Sequence, residues 1–259
     1  MTQRSTATSR QWGDGSLLAV VMSPVMPVWD EGRFFEPMIA PLVKAGYRVL
    51  VFDTLSLLDD EDESLPAFAQ RWHAELTTLG RIDLLAGSAL GGALVQSLLG
   101  LPIGQQIGKV LLLSSPALAD GILDGRLGRM ADLAQLGELE RALQLLDEWV
   151  QPASRIQPSG PIEVDPASAA LQARRLHLGF RLLNRLDVRQ ASEAFGGSLL
   201  TVYGEQSQLV RSINVHTHAR ARQHRLAIPG GGMRPLLDAP GLVLRSVREH
   251  LGIDLEVAA

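Results

Sequence analysis

An α/β fold, a mostly parallel central sheet with helices on both faces, is what the sequence predicts. Short and nearly continuous apolar runs recur along the chain, and amphipathic segments of helical period separate them. In addition, LLAGSALGGALVQSLL (84–99) reads as a buried strand, a glycine turn and a helix in direct succession.

The elements follow in order. MTQRSTATSRQWGDG (1–15) has no apolar segment of the kind a secretory signal carries and is expected as a polar tail. SLLAVVMS (16–23) and YRVLVFD (47–53) are strand-like, and EPMIAPLVKAG (36–46) between them reads as a helix ended by Gly46. The acidic run DDEDE (59–63) suits a solvated loop better than a metal site, because adjacent carboxylates repel and hydrate. LPAFAQRWHAELTTLG (65–80) is a helix, RIDLLAG (81–87) and KVLLLSSP (109–116) are strands, and a helix begins at Gly91 between them.

The alternation then breaks. LGELERALQLLDEWV (136–150) and ASAALQARRLHLGFRLLNRL (167–186) are helix-patterned, and the proline-rich stretch between them is a loop. No strand pattern occurs from about 117 to 195, so this region reads as a helical insertion over one end of the sheet. GSLLTVYGE (197–205) and RLAIPG (225–230) resume the strands, with a helix expected over 213–223.

Composition narrows the function classes. The chain has 259 residues, a net charge of −4 and no cysteine, so a general affinity for nucleic acid, disulfides and thiolate chemistry are not expected. No apolar run is long enough for a membrane span, and a cytoplasmic protein is the expectation. No motif calls for a cofactor or a metal. His216 and His218 would diverge on a helix, His224 at the mouth of the last strand is a candidate displaced base, and His73 and His177 read as structural. Between Gln208 and Leu237 there is no acid, while Arg211, Arg220, Arg222, Arg225 and Arg234 are present. These arginines suit either surface ion pairs, the preferred reading, or recognition of a phosphate or carboxylate.

Four stretches in this order resemble the α/β-hydrolase superfamily, in particular its small esterases and thioesterases, over about residues 16–252. They are AVVMSPVMPVWDEGRFFEPMIAPLVKAGYRVLVFD, IDLLAGSALGGALV, LLTVYGEQSQLV and LAIPGGGMRPLLDAPGLVLRSVREHL. The resemblance implies a core of 16–116 and 196–259, with 117–195 as a helical cap. It also implies that Gly87, Gly91 and Gly92 fix the register of the nucleophile elbow, so that Ala89 stands where the family has serine. By the same alignment Ser207 stands at the acid position and Met233 at the histidine position. Asp53 is kept after the second strand without its usual glycines, and Ser23-Pro24 replace the usual His-Gly.

A serine is activated only by a base that a carboxylate orients, and none of the three positions keeps its group. Ser88, one residue early, is the only nucleophile that could substitute. What survives is a set of backbone donors, from Leu90 and from Val25 or Met26, suited to a carbonyl or an anion. Trp149 and Phe180 are candidate wall residues.

The sequence reading is therefore a non-hydrolytic member that binds a small acyl or carbonyl ligand, free or carrier-bound, or a protein partner, under the cap. Two alternatives stay open. One is a triad-independent enzyme using the oxyanion donors for elimination, cyclisation or decarboxylation. The other is a divergent esterase or thioesterase.

Overall fold

The computed structural model describes residues 7–58, 63–218 and 222–253. The strands are β1 (Ser9–Trp12), β2 (Leu17–Met22), β3 (Tyr47–Phe52), β4 (Ile82–Ser88), β5 (Ile107–Leu113), β6 (Ser198–Gly204) and β7 (Gln223–Ile228). They form one sheet in the order β1-β3-β2-β4-β5-β6-β7. β1 runs antiparallel to β3, and every other neighbouring pair is parallel.

Helices α1 (Glu36–Lys44), α2 (Leu65–Thr77) and α3 (Leu90–Leu99) link the first strands. Between β5 and β6 lie α4 (Gly121–Gln135), α5 (Leu139–Val150), α6 (Ala169–Arg181) and α7 (Arg189–Ala194), and α8 (Pro235–Asp238) and α9 (Pro240–Leu251) follow β7. Leu118 and Asp187 form an isolated bridge that brings the ends of the α4–α6 segment together.

The period-two pattern of the strands divides the core. In β2, Leu18, Val20 and Met22 face one layer with Phe68 and Trp72 of α2 and Leu94 of α3. Ala19 and Val21 face the other, with Met38 and Leu42 of α1 and Val243 and Val247 of α9. Both faces of the strands are covered, which is why they read as unbroken apolar runs. Ser64 starts α2 by accepting a hydrogen bond from the Ala67 N–H, a cap its sequence position suits.

Three expectations need correction. The first concerns the polar stretch 1–15, which is not all tail. Ser9–Trp12 within it is an edge strand, held by backbone pairing to β3 rather than by buried side chains. The second is α4, which the helix pattern missed. Gly121, Gly125 and Gly128 weaken its intrinsic propensity, and it is held instead by buried Leu123, Leu127, Met130 and Ala131. The third is the helix expected over 213–223. Residues 213–218 and 222 are not helical, and 223 already belongs to β7. Residues 59–62 of the acidic run, and Arg220, lie outside the described residues. Among the described residues no helix is long and apolar enough to cross a membrane, and no group of three His, Cys, Asp or Glu is placed to hold a metal ion.

Candidate functional site

The site lies at the carboxyl ends of the parallel strands, where open α/β sheets bind ligands. Its centre is the turn from β4 into α3. Ala89 takes φ 47° and ψ −114° there, a left-sided conformation that L-residues adopt only under constraint. The constraint is visible in its hydrogen bonds: the Ala89 N–H donates to the Leu113 carbonyl of β5 at 3.2 Å, and its carbonyl accepts the Ala93 N–H at 3.0 Å. The glycines around it are required by space. A Cβ on Gly87 would lie 2.6 Å from the Gly91 carbonyl oxygen, and one on Gly91 would lie 2.2 Å from that of Met22. Helix and strands can therefore cross here only with glycine at both positions, and this puts Ala89 at the tip.

Ala89 lines a cavity of about 400 Å³. Val25, Met26, Ser88, Leu90, Phe180 and Met233 line it too, so these expected site residues converge. Leu123 and Leu127 of α4, Leu146 and Val150 of α5, and Leu183 complete an apolar wall. Trp149 does not line it. Its ring instead carries the Arg126 guanidinium 5.5 Å from its centroid, because neighbouring residues on a helix point in different directions.

Ser88 is 2% exposed, lines the cavity on the strand side of the tip, and makes no hydrogen bond through its hydroxyl among the described residues. No histidine lines the cavity. His224 lies near the amino-terminal end of β7, opposite the site, so the sequence reading of it as a displaced base does not hold. His216 is paired with Glu193 at 2.9 Å, and His177 meets the Ala131 carbonyl.

Ser207 does not line the cavity. Its Oγ is buried without a hydrogen-bond partner among the described residues. The two loops that carry Ser207 and Met233 are joined by the backbone, since the Gln206 N–H donates to the Gly231 carbonyl at 2.8 Å. The Met233 Sδ in turn accepts the Val210 N–H at 3.4 Å. Asp238 holds the second loop by accepting the Gly232 N–H at 2.7 Å.

The Ser23–Met26 loop forms the opposite wall. The Val25 and Met26 N–H groups donate to no acceptor among the described residues. The sequence reading missed what holds this loop. Arg175 of α6 makes two 2.9 Å hydrogen bonds to the Asp53 carboxylate, and its Nε donates to the Met26 carbonyl at 2.9 Å. One helical turn on, Gly179 lets α6 close onto Val25, where a Cβ would lie 2.9 Å from a Val25 methyl. A lone retained Asp53 was the only signal in the sequence, and its partner is 122 residues away.

The cavity contains few polar groups. Among the described residues Asp30 is the only acid lining it, and its two oxygens accept the Gly32 and Phe34 N–H groups at 2.8 and 2.7 Å. Arg33 and Arg234 also line it. The other described arginines of the 208–237 stretch that make contacts point elsewhere: Arg211 pairs with Asp120, and Arg225 stacks on Tyr203.

No protein-family model and no curated protein sequence matches the chain. Solved structures match in fold. A bromoperoxidase from Bacillus anthracis is 18% identical with a TM-score of 0.74, over 94% of each chain. An α/β hydrolase enzyme from a Medee basin deep-sea metagenome library is 12% identical with a TM-score of 0.78, over 97% of each chain. The enol-lactonase from Burkholderia xenovorans LB400 is 16% identical with a TM-score of 0.73, over 95% of this chain and 96% of its own. Together with the parallel sheet and its order, these similarities define the chain's fold as that of the α/β-hydrolases.

Proposed function

We propose that this protein is a non-hydrolytic α/β-hydrolase-fold protein that binds a small acyl or carbonyl ligand in the cavity above Ala89, with α4–α6 acting as its cap. The observation that carries this reading is the residue at the tip of the turn. Ala89 holds a strained conformation, faces a formed cavity and has no group able to attack a carbonyl.

In this reading Ala89, Ser207 and Met233 occupy the nucleophile, acid and base positions of a lost triad. The methionine thioether, which already accepts the Val210 N–H, cannot take a proton at neutral pH as a histidine would. Ser88 has no base beside it in the cavity lining, and the Asp30 oxygens are engaged by backbone N–H groups. This scarcity of proton-transfer groups favours binding over both ester hydrolysis and triad-independent catalysis. The formed cavity favours a small molecule over a protein partner. A ligand carbonyl would meet the Leu90 N–H at the start of α3 and the loop donors of Val25 and Met26. The bromoperoxidase, hydrolase and enol-lactonase structures are named for reactions, but at these identities only the fold carries over.

The test joins turnover to binding. With short-chain nitrophenyl esters and acyl thioesters the protein should show no rate above background, and Ala89→Ser alone should not create one. A panel of acyl compounds should raise the melting temperature by mass action. Ala89→Phe, which fills the space above the turn, should abolish that rise while the protein stays folded. An acyl adduct on Ser88 detected by mass spectrometry would restore the hydrolase reading. A rise that Ala89→Phe leaves unchanged would remove the cavity from the proposal.

A further inference from the structure

We infer that the cavity selects a single-chain carboxylate, its anionic end held at the mouth by Arg33 and Arg234 and its apolar chain lying against the α4–α6 wall. The inference rests on the cavity-binding reading above, and for a charged ligand it moves the polar end from the backbone donors of the turn to the arginines at the mouth.

Arg33 follows β2 and Arg234 follows β7, yet both line the same space. Neither guanidinium makes a hydrogen bond or ion pair among the described residues. This sets them apart from Arg175, Arg211 and Arg225, whose guanidinium groups are occupied by protein partners. Arg33 is exposed and Arg234 half-buried, so the pair belongs at the rim, where an unpaired cation keeps some water.

The charge at the rim is not cancelled. Asp30 is the one acid in the lining among the described residues, and both of its oxygens are already used by backbone donors. Two arginines against one carboxylate leave an excess of one positive charge, which a monoanion neutralises. Planar guanidinium groups match a carboxylate through paired N–H donors.

The interior has a different character. Leu123, Leu127, Leu146, Phe180 and Leu183 offer no polar atoms beyond the backbone, and Ser88 contributes a single hydroxyl that makes no hydrogen bond among the described residues. A cation pair at the rim over an apolar interior is the complement of an amphipathic anion. At roughly 30 Å³ for each group of water size, the cavity holds about a dozen heavy atoms, which suits a medium-chain acid.

Octanoate and 1-octanol share a chain and differ in charge, so calorimetric titration of the intact protein with each at low ionic strength tests the inference. Octanoate should bind at least about tenfold more tightly than octanol. In the variant Arg33→Gln/Arg234→Gln the two affinities should fall within about threefold of each other. The comparison in the unmodified protein does not depend on how the variant folds. Equal binding of both ligands to the unmodified protein would overturn the charge inference and leave the cavity reading intact. Octanoate preference that persists in the variant would also overturn the assignment to these arginines. Binding of neither ligand would overturn the cavity reading together with the inference.

Discussion

Replacing Arg175 by methionine should destabilise the protein severely and loosen one wall of the cavity. Arg175 and Asp53 are 13% and 9% exposed at their side chains and meet through two hydrogen bonds. Arg175→Met keeps much of the side-chain volume and removes the charge, leaving the Asp53 carboxylate buried with the Leu55 N–H at 3.3 Å as its remaining protein donor. Losing one partner of a buried pair costs about 3–5 kcal/mol. That is a large share of the roughly 5–15 kcal/mol that holds a folded protein together. At about 2–4 °C per kcal/mol for a chain of this size, the melting temperature should fall by roughly 10 °C.

Urea titration and thermal melts measure the loss directly. The double variant Asp53→Asn/Arg175→Met separates the pair from its surroundings, because asparagine keeps an oxygen for the Leu55 N–H without the charge. It should be more stable than the sum of the single changes allows, by at least about 2 kcal/mol. Hydrogen exchange at residues 23–28 should quicken in Arg175→Met, since the Met26 carbonyl loses its donor. A melting shift under about 2 °C, or strictly additive single changes, would refute the view that this pair latches α6 to the loop.

Three further outcomes follow from other parts of the structure. Ala89→Gly should raise stability by about 1 kcal/mol, because glycine takes φ 47° without strain; a loss measured by urea titration would show that the turn is not strained. Gly91→Ala should cost at least about 1–3 kcal/mol, since the added carbon would stand 2.2 Å from the Met22 carbonyl oxygen, a backbone atom that cannot rotate away; an unchanged melt would contradict the packing. Burial, aided by the charges of Lys109 and His224, lowers the His250 pKa from 6.5 to about 4, so the fold favours the neutral ring. Its contribution is therefore complete above pH 6.5 and is lost as the pH falls toward 4, by about 3 kcal/mol in all. His250→Leu should flatten that part of the stability profile, and an identical slope in both proteins would exclude His250 as its source.

The sequence by itself determined most of the sheet and the turn on which the candidate site is centred. β2, β4, β5 and β6 are buried on both faces, so their apolar runs are unbroken and legible without tertiary knowledge. The register of the central turn was legible because Gly87, Gly91 and Gly92 each stand where backbone or side-chain atoms leave no room for a Cβ. Local sequence carries such steric demands directly, and Ala89 follows from them by counting.

Tertiary structure decided the features whose stabilising partners lie far along the chain. β1 has three exposed residues in four and exists through its pairing with β3, which no local pattern encodes. α4 carries three glycines and is helical because its buried face packs on α5 and α6. Trp149 left the cavity because the rotation of α5 gave Val150 and Leu146 that position instead. The Arg175–Asp53 latch spans 122 residues, and Arg33 and Arg234 come to line one cavity from distant parts of the chain. A charged side chain has no periodic signature of its partner, so only the folded backbone decides which arginines are paired and which are left facing the cavity.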